Sequence, residues 1–275
     1  MNKNRVSIIG YGWLGEPLAL SLKDMGYQVK GSTTSAEKLK VLTDKGLETY
    51  LLKLAPHPEG QAFQRLFDTD ILFINIPPSR RTQADSFHPE QVKYLKALAT
   101  QHNIKKIIYV SATSVYPDHN REVHESDELN LDNTENPALL QAEQLLWKDK
   151  TYDLTVVRFG GLLGVDRIPG RYFTGKENVT GDTPVNYIHR DDALAMIKWI
   201  IERGLWNTTI NGVAPKHPER KAIYEKNALE LGFAPPKSYA PNENAVWKEV
   251  SADKILETGF QFKYPDPIDF WYKII

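Results

Sequence analysis

Residues 10–15 read Gly-Tyr-Gly-Trp-Leu-Gly and join a short apolar run at 6–9 to a stretch in which apolar residues recur at helical spacing. The pattern G-x-G-x-x-G is weak by itself, but between a strand and a helix it is typical of a turn that binds the diphosphate of a dinucleotide. Gly10 would permit the tight turn, Gly12 the approach of the backbone to the diphosphate, and Gly15 the packing of helix on strand. The helix N-terminus adds N–H groups and a partial positive charge. The alternative is a glycine-rich turn without a ligand, with Trp13 as a packing residue. The expected cofactor contacts in this turn are Gly10, Gly12, Trp13, Leu14 and Gly15.

Strand-like and helix-like segments alternate through most of the chain. Apolar runs at 71–76 and 107–110 are nearly continuous, and helical periodicity follows at 90–102 and 137–147. Such alternation indicates a parallel sheet that is covered on both faces. The sequence therefore predicts an α/β protein with a Rossmann-type doubly wound parallel sheet and a smaller C-terminal substrate lobe. The predicted Rossmann domain covers 1–165, with 188–211 returning to it, and the lobe covers 166–187 and 212–275.

The charge balance and the lack of cysteine exclude several classes of partner and site. Lysine and arginine number 34 and aspartate and glutamate 35, so the net charge is −1, whereas nucleic acids and anionic membranes select a basic excess. Without cysteine, disulfides, thiolate nucleophiles and zinc–thiolate sites cannot form. No apolar run approaches the ~18 residues of a membrane-spanning helix, and the N-terminal run is too short for a signal peptide. We expect a cytoplasmic monomer or homodimer that acts on a small molecule, without metal, nucleic acid or membrane.

The segment after the second predicted strand bears on which dinucleotide is bound. An NAD site usually carries Asp or Glu about 20 residues after the glycine turn, where the acid holds the ribose 2′-hydroxyl. Residues 30–35 read Lys-Gly-Ser-Thr-Thr-Ser and contain no acid, and hydroxyl groups with lysines suit a 2′-phosphate. This favours NADP over NAD, although Ser35 could merely cap the next helix while the lysines are solvated. The expected contacts are Ser32, Thr33, Thr34 and Lys38, with Lys30 as a further candidate, and Asn75 and Pro77 after a neighbouring strand.

Further segments extend this pattern along the whole chain. They are 103–111 (Asn-Ile-Lys-Lys-Ile-Ile-Tyr-Val-Ser), 114–116 (Ser-Val-Tyr), 142–146 (Ala-Glu-Gln-Leu-Leu), 157–164 (Val-Arg-Phe-Gly-Gly-Leu-Leu-Gly), 187–193 (Tyr-Ile-His-Arg-Asp-Asp-Ala), 250–254 and 258–260. Their order and spacing resemble those of the extended branch of the short-chain dehydrogenase/reductase superfamily, and most closely its atypical subgroup. The resemblance implies a Rossmann domain, an NAD(P) cofactor and epimerase or dehydratase chemistry of the kind performed on sugar nucleotides.

The catalytic pattern of that superfamily, Ser or Thr followed by Tyr-x-x-x-Lys, is incomplete here. In the superfamily the tyrosine exchanges a proton while hydride moves to or from nicotinamide, and the lysine lowers the tyrosine pKa. Counting back from Glu143 places Glu135 at the tyrosine position and Leu139 at the lysine position, and Ala112 takes the serine position. A shift of one residue in the loop would offer a neighbouring hydroxyl instead, including that of Ser114. The candidate catalytic residues are Tyr116, Ser111, Thr113 and Glu135, with packing in a turn as the alternative for Tyr116.

Four other side chains are candidates for contacts with substrate. Tyr172 and Lys176 form a literal Tyr-x-x-x-Lys, although this spacing arises easily by chance. Arg80 could clamp a phosphate or carboxylate in bidentate fashion, or lie in a solvated loop. For Arg158 the alternative is a buried pair that braces the sheet, and for His189 it is a local helix cap. The predicted substrate contacts are Arg80, Arg158, Tyr172 and His189.

Two classes of function are compatible with these residues. One is an NADP-dependent epimerase, dehydratase or reductase with a degenerate Ser/Tyr/Lys site, acting on a polar substrate such as a sugar nucleotide. The other is an NADP(H)-binding sensor or regulatory protein on the same scaffold, without turnover. The missing tyrosine and lysine favour the sensor, and the predicted substrate lobe favours the enzyme. A fold alone decides neither, and we favour the enzyme.

Overall fold

The computed structural model describes residues 4–78, 84–243 and 245–273. The strands are β1 (Arg5–Ile9), β2 (Gln28–Thr33), β3 (Glu48–Leu51), β4 (Lys53–Leu54), β5 (Pro58–Glu59), β6 (Ile71–Ile74), β7 (Lys106–Ala112), β8 (Arg121–Val123), β9 (Asp153–Phe159), β10 (Gly161–Leu163), β11 (Tyr187–His189), β12 (Thr208–Gly212) and β13 (Lys248–Val250). The helices are α1 (Gly15–Asp24), α2 (Ala36–Asp44), α3 (Phe87–Gln101), α4 (Pro137–Trp147), α5 (Arg190–Arg203), α6 (Arg220–Leu231) and α7 (Asp253–Glu257).

Seven strands form one parallel sheet in the order β12-β9-β7-β6-β1-β2-β3. Strand β1 lies between β2 and β6, with Ile8 opposite both Gly31 and Phe73. The strand order thus reverses beside β1, and at such a point the connections leave a crevice at the carboxyl ends of the strands. The arrangement confirms the predicted doubly wound parallel sheet.

The elements around this point form because their apolar residues have the right period. All four residues of β6 are buried, as expected for a strand covered on both faces. Helix α1 buries Leu18 and Leu22, four residues apart on one face, and contacts β1 and β2. Helix α2 begins after Ser35, whose Oγ accepts a hydrogen bond from the Lys38 N–H at 3.2 Å. Ser35 is therefore an N-cap, the local role that its position in the sequence allowed.

The chain divides into two compact units. The first comprises the residues up to Ser111, Asn130–Val157 and Ile200–Thr209, and it contains β1 to β6 and α1 to α4. The second comprises Ala112–Leu129, Arg158–Trp199 and the residues from Ile210 onward. The domain boundaries expected from the sequence stay predictions.

The second unit contains short parallel pairs, β10 with β11 and β8 with β13. Its apolar packing includes a cluster around Ile168, Phe270 and Tyr272 and another around Ile223 and Tyr224. Within the described ranges of the whole chain, none of the helices combines the length and the apolar character that crossing a membrane requires.

Candidate functional site

A cleft of about 780 Å³ opens in the first unit where β1, β2 and β6 end. Its volume lies in the range of roughly 300–1,000 Å³ that is usual for ligand and cofactor sites. Among the expected cofactor contacts, the structure places in its lining Gly10, Gly12, Ser32, Thr33, Thr34, Lys38, Asn75 and Pro77. Trp13, Leu14 and Gly15 are not lining residues, and Leu14 is buried.

The three glycines of the turn differ in what an added side chain would meet. Gly10 has φ of +107°, and a Cβ there would lie 2.5 Å from the Asn75 carbonyl oxygen. A Cβ on Gly15 would lie 2.2 Å from the Gly10 carbonyl oxygen, so the start of α1 approaches the turn too closely for any side chain. At Gly12 no heavy atom of the described residues comes within 4 Å of an added Cβ. Because Gly12 lines the cleft, this open space is available to a ligand, and the turn fits a diphosphate.

Two polar side chains predicted to touch the cofactor hold the glycine turn in place. The Ser32 hydroxyl accepts a hydrogen bond from the Gly10 N–H at 3.0 Å, and the Ser32 carbonyl accepts one from the Tyr11 N–H at 2.7 Å. The Asn75 amide donates to the Gly10 carbonyl at 3.2 Å. The ends of β2 and β6 are thereby tied to the turn, so Ser32 and Asn75 shape the cleft as well as line it.

The charges on the cleft wall are basic. Lys38 and Lys53 line it, and no Asp or Glu side chain does so within the described part of the chain. The Lys38 ammonium lies 3.5 Å from the Glu16 carboxylate, and the Lys45 ammonium, outside the cleft, lies 2.6 Å from the same group. Partial burial disfavours the ionised Glu16, but Lys45 and Lys38 outweigh it and hold its pKa below the ordinary value. Lys30 is not a lining residue.

A series of hydrogen-bonded side chains, which the sequence does not predict, connects α3 to this cleft. The Gln91 amide donates to the Leu54 carbonyl at 2.8 Å, which turns its Oε1 toward His88 Nδ1 at 3.4 Å. The remaining ring nitrogen of His88 then accepts from the Tyr109 hydroxyl at 2.7 Å. Burial lowers the pKa of His88 to about 4, so the ring is neutral at physiological pH. The spacing of His88 and Gln91 on one helical face is the only signal of this contact in the sequence.

Ser111 and Glu135 are both candidates for catalysis, but the first is buried and the second is exposed. The Ser111 hydroxyl donates to Glu143 Oε1 at 2.5 Å, and both residues are buried. Glu135 is exposed just before α4. Leu139, at the position where the superfamily has lysine, is buried in the first turns of α4. A buried leucine cannot place a cation beside a catalytic hydroxyl.

Tyr116 and Arg158 come together in the second unit. The Tyr116 hydroxyl donates to Asn211 Oδ1 at 2.8 Å and accepts from Arg158 Nη1 at 2.8 Å. The Arg158 guanidinium also lies 4.9 Å from the centre of the Tyr116 ring. Burial, partly offset by Arg158, raises the pKa of Tyr116 to about 12, whereas a tyrosine in a turn would keep a value near 10. Both residues belong to one buried hydrogen-bonded cluster, and their predicted roles stay predictions.

The other predicted residues lie in separate places of the second unit. Tyr172 is exposed, and the Lys176 ammonium sits 5.4 Å over the Phe173 ring instead, so the literal Tyr-x-x-x-Lys does not form a pair. His189 is fully buried: its Nδ1 accepts from the Asp191 N–H at 3.2 Å and its Nε2 donates to the Trp271 carbonyl at 3.1 Å. Burial lowers the pKa of His189. Thr113 begins a 3-10 turn, and Arg80 lies outside the described residues.

One group of side chains has the composition of a metal site. Ligand atoms of Glu122, His124 and Asp253 lie within 4.8 Å of one another. Glu122 and Asp253 are exposed, so water competes for any ion that they would bind.

Comparison with known proteins gives one family match and a relative that covers nearly the whole chain. Residues 5–133 match the family described as the NAD binding domain of 6-phosphogluconate dehydrogenase. Over 267 residues the chain is 33% identical to protein YeeZ of Escherichia coli K12, covering 96% of this chain and 97% of YeeZ.

Two solved structures share the fold at low sequence identity. Human epimerase family protein SDR39U1, with NADPH, is 18% identical, with a TM-score of 0.72 and coverage of 96% of each chain. MoeE5, in complex with UDP-glucuronic acid and NAD, is 16% identical, with a TM-score of 0.77 and coverage of 97% of each chain. At these identities the likeness concerns the fold.

Proposed function

This chain belongs to the same family as YeeZ. On that premise we propose that it is a member of the extended and atypical short-chain dehydrogenases/reductases, and that it is an NADP(H)-dependent enzyme that acts as an epimerase, dehydratase or reductase on a small polar substrate. The bound nicotinamide would supply or accept hydride. The residues of the first-unit cleft would bind and orient the cofactor, with the backbone of the glycine turn at its diphosphate. A sugar nucleotide, as bound by MoeE5, is one member of this substrate class.

The observation that supports NADP is the composition of the cleft wall beyond β2. Thr33, Thr34 and Lys38 line it, and no Asp or Glu does so among the described residues. The N-terminus of α2, capped by Ser35, lies at the same place. Helix N-termini and lysines both stabilise a phosphate, whereas an acid at this position would repel it. We propose that the 2′-phosphate of NADP(H) binds here, and that NAD binds more weakly.

Lys38 allows a sharp test because Lys45 is a matched control. Both lysines pair with Glu16, but only Lys38 lines the cleft. We expect Lys38→Gln to weaken NADPH binding about tenfold, the size of one charge-assisted contact to phosphate, and to leave NADH binding nearly unchanged. Lys45→Gln should change neither. Titration followed by nicotinamide fluorescence measures all four affinities.

The proposal of NADP fails if the unmodified protein binds NADH as tightly as NADPH. It also fails if Lys38→Gln and Lys45→Gln have equal effects, because the loss would then arise from Glu16 rather than from a phosphate contact.

Proton transfer in this enzyme would have to use groups other than the usual pair of tyrosine and lysine. Tyr116, Ser111, Thr113 and Glu135 are the proposed candidates. The hydroxyls of Ser111 and Tyr116 are engaged with Glu143 and with Asn211, respectively, so either would have to exchange a partner to act. Thr113 lines a pocket in the second unit, and Glu135 is exposed.

Leu139 favours a second candidate function, that of an NADP(H)-binding sensor without turnover. A buried leucine occupies the position of the superfamily's lysine, and no charge is available there to lower the pKa of a neighbouring hydroxyl. Incubation with NADPH and a panel of carbonyl compounds, followed at the nicotinamide absorbance, separates the two functions. Oxidation of NADPH by any of them supports the enzyme, and tight binding without oxidation supports the sensor.

A further inference from the structure

We propose that a small pocket in the second unit binds an anionic molecule of the size of a single sugar, a sugar acid or a sugar phosphate, through Arg220. The pocket measures about 260 Å³, and its lining includes Thr113, Ser114, Thr183, Tyr187, Arg220 and Lys248. The assignment of this molecule as the substrate rests on the proposed function. The existence of an anion site rests on the pocket alone.

Arg220 is held in place but not neutralised. Its Nε donates to the Thr183 hydroxyl at 2.9 Å, and its Nη1 lies 3.5 Å from the Tyr187 hydroxyl. No carboxylate in the described ranges forms a salt bridge with it, in contrast to Lys248 in the same pocket. A guanidinium has five N–H donors in a fixed plane, and two of them suffice to bind a carboxylate or phosphate in bidentate fashion. Thr183 and Tyr187 therefore orient a cation whose natural partner is an anion from solution.

Lys248, the other basic residue of the lining, is neutralised by a partner. Its side chain is only 10% exposed, and its ammonium lies 2.9 Å from Asp118 Oδ1 and donates to the Tyr116 carbonyl at 2.6 Å. The Lys248–Asp118 pair is close to neutral, so the net charge of the lining comes from Arg220. The pocket thus suits an occupant with one anionic group, while the ion pair and the hydroxyl of Thr113 offer hydrogen bonds to neutral hydroxyl groups.

The size of the pocket favours a small occupant. Its 260 Å³ lie below the roughly 300 Å³ at which sites for drug-sized ligands begin. One sugar ring with a carboxylate or a phosphate is of this size, whereas a sugar nucleotide adds a base, a ribose and a second phosphate. The polar lining, with Tyr187 and Trp247 as aromatic members, also matches a ring that carries several hydroxyls.

Isothermal titration of the full chain, saturated with NADPH, tests the proposal with four probes: glucuronate, glucose 6-phosphate, glucose and UDP-glucose. We expect glucuronate or glucose 6-phosphate to bind at least tenfold more tightly than glucose, and the tighter of the two identifies the anionic group. Arg220→Gln should weaken that binding at least tenfold, and Arg220→Lys, which keeps the charge but not the planar fork, should weaken it less.

Lys221→Gln is the matched control, because the neighbouring Lys221 ammonium lies over the Tyr239 ring at 5.1 Å and does not line the pocket. It should leave the affinity for the anion unchanged. Unaltered NADPH affinity in each variant shows that the protein is folded. A loss of anion binding can then be distinguished from a loss of cofactor binding.

Three results would overturn the proposal. Glucose could bind as tightly as the two anions, UDP-glucose could bind with an affinity that Arg220→Gln does not change, or none of the probes could bind to protein that binds NADPH. Failure of NADPH binding itself would refute the proposed function instead, and titration of the anions without NADPH would still test the pocket.

Discussion

At the scale of single residues, Gly12 and Gly15 distinguish space for a ligand from space required by the fold. An added Cβ meets no described atom within 4 Å at Gly12 but lies 2.2 Å from a carbonyl oxygen at Gly15. We predict that Gly12→Ala changes the free energy of unfolding by less than about 0.5 kcal/mol and weakens NADPH binding about tenfold, because its methyl group displaces the diphosphate. Gly15→Ala should destabilise the fold by about 1–3 kcal/mol. Urea denaturation and NADPH titration measure the two effects. Unchanged NADPH binding by Gly12→Ala would contradict the binding of the diphosphate at Gly12.

The glycines could be predicted because their roles are local, whereas the anion pocket could not. Gly10, Gly12 and Gly15 lie within six consecutive residues, between a strand and a helix, and their spacing carries their roles. Arg220 and Lys248 lie far from Thr113 in the sequence and share a pocket only through tertiary packing. The sequence predicts Arg158 and His189 as substrate contacts, and the structure places both in buried hydrogen-bonded clusters, where their predicted role stays a prediction. A single sequence does not show whether a polar side chain faces a pocket or the interior.

At the scale of elements, Tyr116 ties the 3-10 turn after β7 to β9 and β12. Its hydroxyl contacts Arg158 of β9 and Asn211 of β12. We predict that Tyr116→Phe lowers the free energy of unfolding by about 1–3 kcal/mol, because two buried groups lose a partner, and leaves NADPH affinity unchanged. Chemical denaturation and NADPH titration are the measurements. Loss of turnover at unchanged stability would instead make Tyr116 a catalytic acid.

The long parallel strands could be predicted from their apolar runs, but the short pairs of the second unit could not. In the pair of β8 and β13, Arg121 lies opposite Lys248 and Val123 opposite Val250. Each strand has only three residues, and the two strands lie more than a hundred positions apart in the sequence. Three residues are too few to show a period of two. The register of β13 is therefore set by tertiary contacts and not by a local sequence pattern.

At the scale of the whole molecule, two buried neutral histidines couple folding to pH. Burial lowers the pKa of His88 from 6.5 to about 4 and also lowers the pKa of His189. In the unfolded chain each ring binds a proton near pH 6.5, but in the folded protein protonation requires a lower pH. The unfolded state consequently binds more protons below that pH, and stability falls as the pH falls. Above pH 6.5 the stabilising contribution is fully present, and for His88 it is lost progressively toward pH 4.

His88 gives this coupling a measurable size. Each pH unit below its unfolded pKa costs up to about 1.4 kcal/mol, so this residue alone should lower the free energy of unfolding by about 2 kcal/mol between pH 6.5 and pH 5. We predict that His88→Gln, which can still accept from the Tyr109 hydroxyl, has a shallower dependence of stability on pH over that interval. His119→Gln, at an exposed histidine, should keep the original slope. Urea denaturation at a series of pH values compares the three proteins, and equal slopes for His88→Gln and the unmodified chain would show that the His88 ring is protonated as readily in the folded protein as in the unfolded one.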